Sequence, residues 1–416
     1  MKGFDLGFRV LARVGAARAG VFATRHGEVE TPAFMPVGTR ASVKGLTNAH
    51  LEAVDPEVVL ANTYHLHLRP GEGLIRELGG LHAFAGWHRP ILTDSGGYQV
   101  FSLGDLVAVD DGGVTVKSHL DGEPVRLGPR VATEIQEALG ADIVMAFDQF
   151  CRLPATRDEL SAAVERTSRW AEACLHARTR DDQAMFGIVQ GGSDADLRRR
   201  SAEQVTNLPF EGFALGGLSV GEGPDALRAT LSVATPLLPE KSPRYLMGVG
   251  LPLDLVDAVA VGIDLFDCVV PTRNGRRGHL FTRDGVVRIG REAFARDTGP
   301  LDVECPCEVC RTYSRAYLHH LFAVGEQTAI TLGSLHNVRF LVDWVRDLRA
   351  AILSGTFSEV AAGKAARYVE GERRNAALMA EDPDGREGSR RASKGREVRR
   401  RRILGTPLED APGLSE

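Results

Sequence analysis

Residues 185–192 read "MFGIVQGG", an apolar run that stops abruptly at a polar residue and a glycine pair. A half-solvated strand would alternate apolar with polar side chains. An unbroken apolar run bounded by turn residues reads as a strand buried on both faces. Seven further stretches share this grammar: "TPAFMPVG" (31–38), "VVLANTYH" (58–65), "PILTDSGG" (90–97), "DIVMAFDQ" (142–149), "GFALGGL" (212–218), "YLMGVG" (245–250) and "LFDCVVPTR" (265–273). Between them lie helix-like segments such as 156–178, opening with a Thr156 cap and Glu159 three residues on, and 193–208. Buried strands alternating with helices imply a parallel sheet, and eight such units imply an α/β protein closed as a (β/α)8 TIM-type barrel. The rival is an open doubly wound sheet, but no GxGxxG follows the first strand.

Two insertions interrupt the pattern. Residues 105–127 alternate in strand fashion around Asp-Gly turns and are expected to form an inserted β-hairpin. The second insertion holds half of the chain's six cysteines, in "CPCEVC" (305–310). The expected organisation is a catalytic barrel over 1–280 plus 341–380, a C-terminal zinc-binding subdomain over 281–340, and a disordered basic tail over 381–416.

Bulk composition excludes several classes. The 416 residues are 43% hydrophobic and 25% charged, as in ordinary globular proteins. No apolar run reaches membrane-spanning length, and the N-terminal "MKGFDLGFRVLARVG" is broken by Asp5, Arg9 and Arg13, so no secretory signal is expected. Few, unevenly scattered cysteines do not make a disulfide scaffold. A cytoplasmic enzyme is the default. The formal net charge of −5 argues against indiscriminate nucleic-acid binding. Residues 386–402, with nine Lys/Arg against two Glu, carry +7, which leaves −12 on the remainder. That run reads as a solvated tail, with a weak electrostatic assist to RNA binding as its second reading.

Asp94, Asp148, Gln190, Gly217 and Asp267 all fall at or near the carboxyl ends of expected strands. In a barrel those ends converge on one mouth, where active sites sit. A single polar residue there can be a helix cap or a salt-bridge partner; three carboxylates and an amide together point to chemistry.

Cys305, Cys307 and Cys310 have the C-x-C-x2-C spacing that gathers three sulfurs around one ion. A fourth ligand would complete a tetrahedron. His319, His320 and His336 are the candidates, and His336 is favoured because it would return from a following helix and staple it to the loop. Four protein ligands leave no open position, so this Zn2+ is expected to be structural. The alternative is a local disulfide or free thiols.

These segments resemble the bacterial tRNA-guanine transglycosylase (queuine tRNA-ribosyltransferase) family. The matching motifs are "TPAFMPVGTRASVKGL", "LANTYHLHLRPG", "TDSGGYQVFSL", "GIVQGG", "ALGGLSVGE", "YLMGVG", "DLFDCVVPTRNGRRG" and "CPCEVCRTYSRAYLHHLFAVGE…LHNVRF", in family order over roughly residues 5 to 375. The resemblance implies a barrel with a zinc subdomain. It implies exchange of guanine for preQ1, a 7-aminomethyl-7-deazaguanine, at the wobble position of tRNAs with GUN anticodons (Asp, Asn, His and Tyr), a step in queuosine biosynthesis. It also implies a homodimer, and one Zn2+ per subunit on Cys305, Cys307, Cys310 and His336.

Residue by residue, the resemblance makes Asp267 the nucleophile that bonds ribose C1′ and Asp94 the general acid/base. Ser95, Gly96, Gly97 and Tyr98 belong to the substrate-binding motif that follows. Asp148 takes the donor edge of guanine, and Gln190 with the Gly217 N–H takes O6. Tyr98 and Met247 sandwich the ring. Leu218 and Glu222 read the 7-substituent, and Val220, bulkier than the residue of queuine-using eukaryotic relatives, favours preQ1. The segment Gly248, Val249, Gly250, Leu251, Pro252, Leu253 and Asp254 corresponds to an anticodon-loop contact. So does Thr272, Arg273, Asn274, Gly275 and Arg276, whose arginines read the uridines beside the target. The chain departs from the family after Asp148: bacterial members commonly continue Glu-Cys, whereas Gln149 and Phe150 stand here.

Three rival readings fit these residues less well. A non-catalytic partner subunit on this fold would not need both Asp94 and Asp267. An archaeosine-type enzyme would carry additional C-terminal RNA-binding domains. A plain glycoside hydrolase would not need Asp148 and Gln190 arranged for a purine.

Overall fold

The computed structural model describes residues 4–102 and 105–381, with side chains at 105–107 and 377–381 outside the description. The expected basic tail lies outside the described residues. Eight parallel strands close a barrel: β1 (Ala33–Gly38), β2 (Val59–Ala61), β3 (Ile91–Thr93), β4 (Ile143–Met145), β5 (Ala184–Val189), β6 (Gly212–Leu215), β7 (Arg244–Leu246) and β8 (Leu265–Cys268). Each strand pairs with the next, and β8 returns to β1 with Asp267 opposite Met35. All eight fall on the apolar stretches read from the sequence, β5 and β7 beginning one residue earlier, at Ala184 and Arg244.

Side-chain alternation along the strands explains what fills the barrel. Met35, Leu60, Leu92, Ile143, Met145, Phe186, Ile188, Ala214, Tyr245 and Leu265 belong to one buried cluster. Successive side chains of a strand point to opposite faces, so residues two apart share the interior. Two residues beyond Leu92, Ile188, Tyr245 and Leu265 stand Asp94, Gln190, Met247 and Asp267. The same periodicity that packs the core therefore delivers polar side chains to its upper rim.

The lower end is closed by a three-stranded antiparallel sheet over Arg9–Val14, Ala17–Thr24 and Gly27–Thr31, which the sequence reading had not assigned. Phe22 and Val29 of this sheet join the barrel cluster. Arg18, also buried there, pairs with the buried Asp264 and donates to the carbonyls of Glu240 and Ser242 at 2.8 and 2.9 Å. The helix Arg157–Ala177 begins as expected: Glu159 N–H donates to Thr156 Oγ1 at 3.2 Å, and Thr156 N–H to Glu159 Oε2 at 2.7 Å. The insertion expected as a hairpin has three antiparallel strands, Asp105–Asp110, Gly113–Lys117 and Pro124–Leu127. The third strand forms because the turn at 118–122 folds the chain back, Ser118 N–H donating to the Glu123 carbonyl at 2.8 Å.

The chain divides into two compact units. Among the described residues, one comprises those up to Arg273 with Asn337–Ala366; the other is built on Asn274–His336 and the last helix from Arg367. The last helix, Phe357–Glu381, therefore leaves the barrel unit at Arg367, where the sequence reading had carried the barrel to residue 380. The reason is electrostatic: Arg367 bonds Asp284 at 2.9 and 3.1 Å and Glu304 at 2.7 Å, all within the second unit. Among the described residues, no helix is long and apolar enough to cross a membrane.

Candidate active site

Asp94 follows β3 directly. Its Oδ1 accepts from the Thr63 N–H at 2.9 Å, and its Oδ2 from Asn62 Nδ2 at 2.5 Å and Gln99 Nε2 at 3.0 Å. Burial nevertheless lifts its pKa to about 7, and the Asp267 carboxylate adds to the rise. The two aspartates thus share one electrostatic environment although 173 positions separate them in the chain. Asp267, on β8, accepts from the Tyr245 hydroxyl at 2.6 Å and from the Gly248 N–H at 2.8 Å, both on Oδ1. Burial raises it above the ordinary carboxylate range, and these two bonds oppose that rise. Unequal environments around paired carboxylates separate an acid from a nucleophile.

Asp148 lies beyond β4 and is buried. Ser95 Oγ donates to its Oδ1 at 3.3 Å and Gln190 Nε2 to its Oδ2 at 2.6 Å. Burial pushes its pKa up to about 6 against both bonds. Two glycines make room. A Cβ on Gly97 would stand 2.6 Å from Asp148 Oδ1, and one on Gly217, where φ is +67°, would stand 2.4 Å from Gln190 Oε1. Any larger residue would displace the carboxylate–amide pair.

Around this centre, Tyr98 is exposed and meets the buried Phe150 edge to face, ring centroids 4.9 Å apart. Met247 packs on the barrel cluster. Leu218 is buried and Val220 half-buried. Glu222 accepts from the N–H groups of Ser219 and Val220, the latter at 2.8 Å. It therefore fixes the Leu218–Ser219 peptide with its N–H toward the carboxylate.

Not every expected contact residue is presented alike. Gly248 and Leu251 are exposed at the end of β7, whereas Val249 and Gly250 are buried, a Cβ on Gly250 falling 2.4 Å from Cys268 Cβ. Pro252 is buried and opens the helix Pro252–Ala260, with Leu253 and Asp254 half-buried in its first turn. Arg273 is exposed and Thr272 buried. In the second unit, Asn274 and Arg276 are half-buried and Gly275 is packed on Gly333.

Sequence reasoning missed the residues that hold the acids: Asn62, Thr63, Gln99 and Tyr245. All four lie inside quoted motifs, "LANTYHLHLRPG", "TDSGGYQVFSL" and "YLMGVG". The signal was present, but nothing in one dimension says which motif residue touches which.

In the second unit Cys305, Cys307, Cys310 and His336 are all buried together. His336 Nδ1 lies 3.9, 3.5 and 3.4 Å from their sulfurs in that order. Tetrahedral Zn2+ with ordinary bond lengths requires S–N edges of about 3.5 Å. His336 Nε2 donates to the Phe281 carbonyl at 2.5 Å, which leaves Nδ1 to face the sulfurs. His319 instead meets the Ile289 carbonyl at 2.9 Å. The donor set fits a closed, four-ligand ion site.

Another cluster of metal-ligating residue types, His26, His82 and Asp142, lies at the opposite end of the barrel, just before β4. There the N–O separations are 2.7 and 3.1 Å and the imidazoles stack 3.5 Å apart at 14°. Parallel rings cannot aim in-plane lone pairs at one ion, and the short contacts are hydrogen bonds. It is a polar plug.

Fold and mouth together define the class: a (β/α)8-barrel enzyme whose rim carries two unequal acids beside a buried carboxylate–amide pair. The family model described as Queuine tRNA-ribosyltransferase matches residues 13–370. A queuine tRNA-ribosyltransferase from Moorella thermoacetica is 52% identical over 360 residues, covering 86% of this chain and 96% of the relative. One from Thermus thermophilus is 52% identical over 354 residues, 85% and 92% of the two chains. One from Geobacillus thermodenitrificans is 53% identical over 341 residues, 82% and 90%. The chain belongs to the queuine tRNA-ribosyltransferase family, the tRNA-guanine transglycosylases.

Proposed function

We propose that this enzyme replaces the wobble guanine of GUN-anticodon tRNAs (Asp, Asn, His, Tyr) with preQ1 by two displacements at ribose C1′, in the cytoplasm. The Asp267 carboxylate attacks C1′ and the C1′–N9 bond breaks, while Asp94 gives its proton to the departing guanine. The incoming base then loses its N9 proton to Asp94, attacks C1′ and releases Asp267. Protons balance across the cycle, the strand is never cut, and two inversions retain configuration.

The observation that carries this reading is a pair of buried acids held by different hydrogen-bond partners. Asp94, lifted to about 7, holds a transferable proton near neutrality, while Tyr245 and Gly248 favour the ionised form of Asp267. Asp148 accepts from the 2-amino group and N1–H of guanine. Gln190 spends one amide N–H on Asp148 and has a second for O6, alongside the Gly217 N–H. Ser95 and Gly97 keep Asp148 in place, Gly96 carries the turn, and Tyr98 and Met247 cover the two ring faces. Leu218 offers its carbonyl to the 7-aminomethyl group, with Glu222 holding that peptide, and Val220 restricts the space for anything larger. The exposed Leu251 loop and Arg273, with Arg276, meet the anticodon loop, splayed so that the target guanine enters the pocket. Cys305, Cys307, Cys310 and His336 hold one structural Zn2+, which stabilises the second unit and takes no part in bond breaking. In the homodimer of this reading, one subunit does the chemistry and its partner orients the tRNA.

The test is incubation of tRNA-Tyr transcript with labelled guanine or preQ1, comparing wild type with Asp267→Ala, and a denaturing gel for an enzyme–RNA adduct. Incorporation by the alanine variant at the wild-type rate removes Asp267 as nucleophile. Use of queuine as readily as preQ1 removes the assignment of Val220.

A further inference from the structure

Arg198, on the helix Ala195–Thr206, is fully buried. Instead of pairing with a carboxylate, its guanidinium donates to three main-chain carbonyls: Nε to Gly192, Nη1 to Val189 and Nη2 to Gly216, each at 2.8 Å. An unpaired interior cation is expensive, and burial holds its pKa down to about 9, with the Glu222 carboxylate acting the other way. It is still a cation at neutral pH.

The identity of those carbonyls gives the charge a use. Each peptide unit joins the C=O of one residue to the N–H of the next. The Gly216 carbonyl therefore belongs to the peptide whose N–H is that of Gly217, and the Val189 carbonyl to the peptide whose N–H is that of Gln190. The second of these N–H groups is itself anchored, donating to Ser201 Oγ from the same helix at 2.9 Å. The Gly216 N–H donates to the Val189 carbonyl at 3.0 Å, so one guanidinium spans the ends of both β5 and β6. A cation on a carbonyl oxygen draws electron density along the amide and strengthens its N–H as a donor.

We propose that Arg198 is a positioning residue for base exchange: it aligns and polarises the Gly216–Gly217 peptide so that the Gly217 N–H binds O6 of the base more strongly as negative charge develops there. This rests on the reading of Gln190 and Gly217 as the O6 donors. When C1′–N9 breaks, electron density passes into the purine and reaches O6. A pre-aimed, polarised donor then binds the transition state better than the ground state.

The experiment compares wild type, Arg198→Lys and Arg198→Met, each checked for folding by circular dichroism. The ligands are guanine and 6-thioguanine, which keeps N1–H and the 2-amino group but presents sulfur, a weak acceptor, in place of O6. Wild type should prefer guanine. Arg198→Met should lose about tenfold in guanine affinity and little in 6-thioguanine affinity, with Arg198→Lys between. In tRNA exchange, kcat should fall while KM for tRNA holds. A wild type that does not distinguish the two bases refutes the O6 reading itself. If wild type discriminates and Arg198→Met does so equally, only the role of Arg198 is overturned. Parallel losses for both ligands, or failure of both variants to fold, make Arg198 a stabilising residue and overturn the proposal as well.

Discussion

Tyr245 donates its phenolic hydrogen to Asp267 Oδ1 at 2.6 Å, within the mouth that Asp267 shares with Asp94. Burial drives the phenol's own pKa well above its usual value, so Tyr245 keeps its hydrogen and donates it. Hydrogen bonding to the ionised form favours that form. Tyr245→Phe removes one of the bonds holding Asp267 down, so the carboxylate's pKa rises and less of it is ionised at a given pH. The acid limb of the kcat/KM profile should move to higher pH, with kcat lower by about tenfold at neutrality. An unmoved limb would separate Tyr245 from the nucleophile.

Asp94 must be protonated when guanine departs. With its pKa at about 7, the alkaline limb of adduct formation should fall as pH rises through that value, while loss of the Asp267 carboxylate sets the acid limb. Gln99 donates to the ionised form, so Gln99→Met should raise the pKa further and carry the alkaline limb upward. Single-turnover adduct formation across pH measures this; a limb that moves downward contradicts the hydrogen-bond assignment.

The buried Phe150 braces Tyr98 edge to face, ring centroids 4.9 Å apart. Such ring pairs contribute about 1 kcal/mol beyond burial. Phe150→Cys should loosen Tyr98 and raise KM for the incoming base severalfold while kcat holds. Steady-state kinetics with labelled preQ1 reads this directly.

Gly97→Ala should be far more damaging than its size implies. The new methyl would stand 2.6 Å from Asp148 Oδ1 and 2.8 Å from its carbonyl, with no flexible chain end to yield. Guanine affinity should fall by about a hundredfold, and the melting temperature should drop as well, because overpacking against backbone costs about 1–3 kcal/mol. Calorimetric titration against the base tests it.

Metal content should be one zinc per chain, lost in Cys307→Ser and His336→Ala but kept in His319→Ala, whose ring meets the Ile289 carbonyl instead. The first two variants should melt at lower temperature, because ligand-bound metal contributes folding free energy outright. Elemental analysis beside thermal melts decides between His336 and His319.

Much of this protein was legible in one dimension because its determinants are local. A strand covered on both faces must be apolar throughout, so "MFGIVQGG" and its seven counterparts announce barrel strands. Period-two alternation then extends from Leu92 to Asp94 and from Leu265 to Asp267 without further information. The Cys305, Cys307 and Cys310 cluster was legible for a similar reason, since three thiols in six residues already lie within reach of one ion.

What only the closed barrel decided is which ordinary polar residues meet. Asn62 caps the helix Thr63–Leu68 and Gln99 lies on the helix Gly97–Ser102, after different strands, and closure brings both to Asp94. Arg198 looks like any surface helix arginine until packing buries it against three carbonyls. The raised pKa values of Asp94 and Asp267 likewise have no sequence signature, because desolvation depends on what surrounds a carboxylate in space. Residue type and spacing specify which groups are available; enclosure alone determines how much each charge costs, and hence how firmly each aspartate holds its proton.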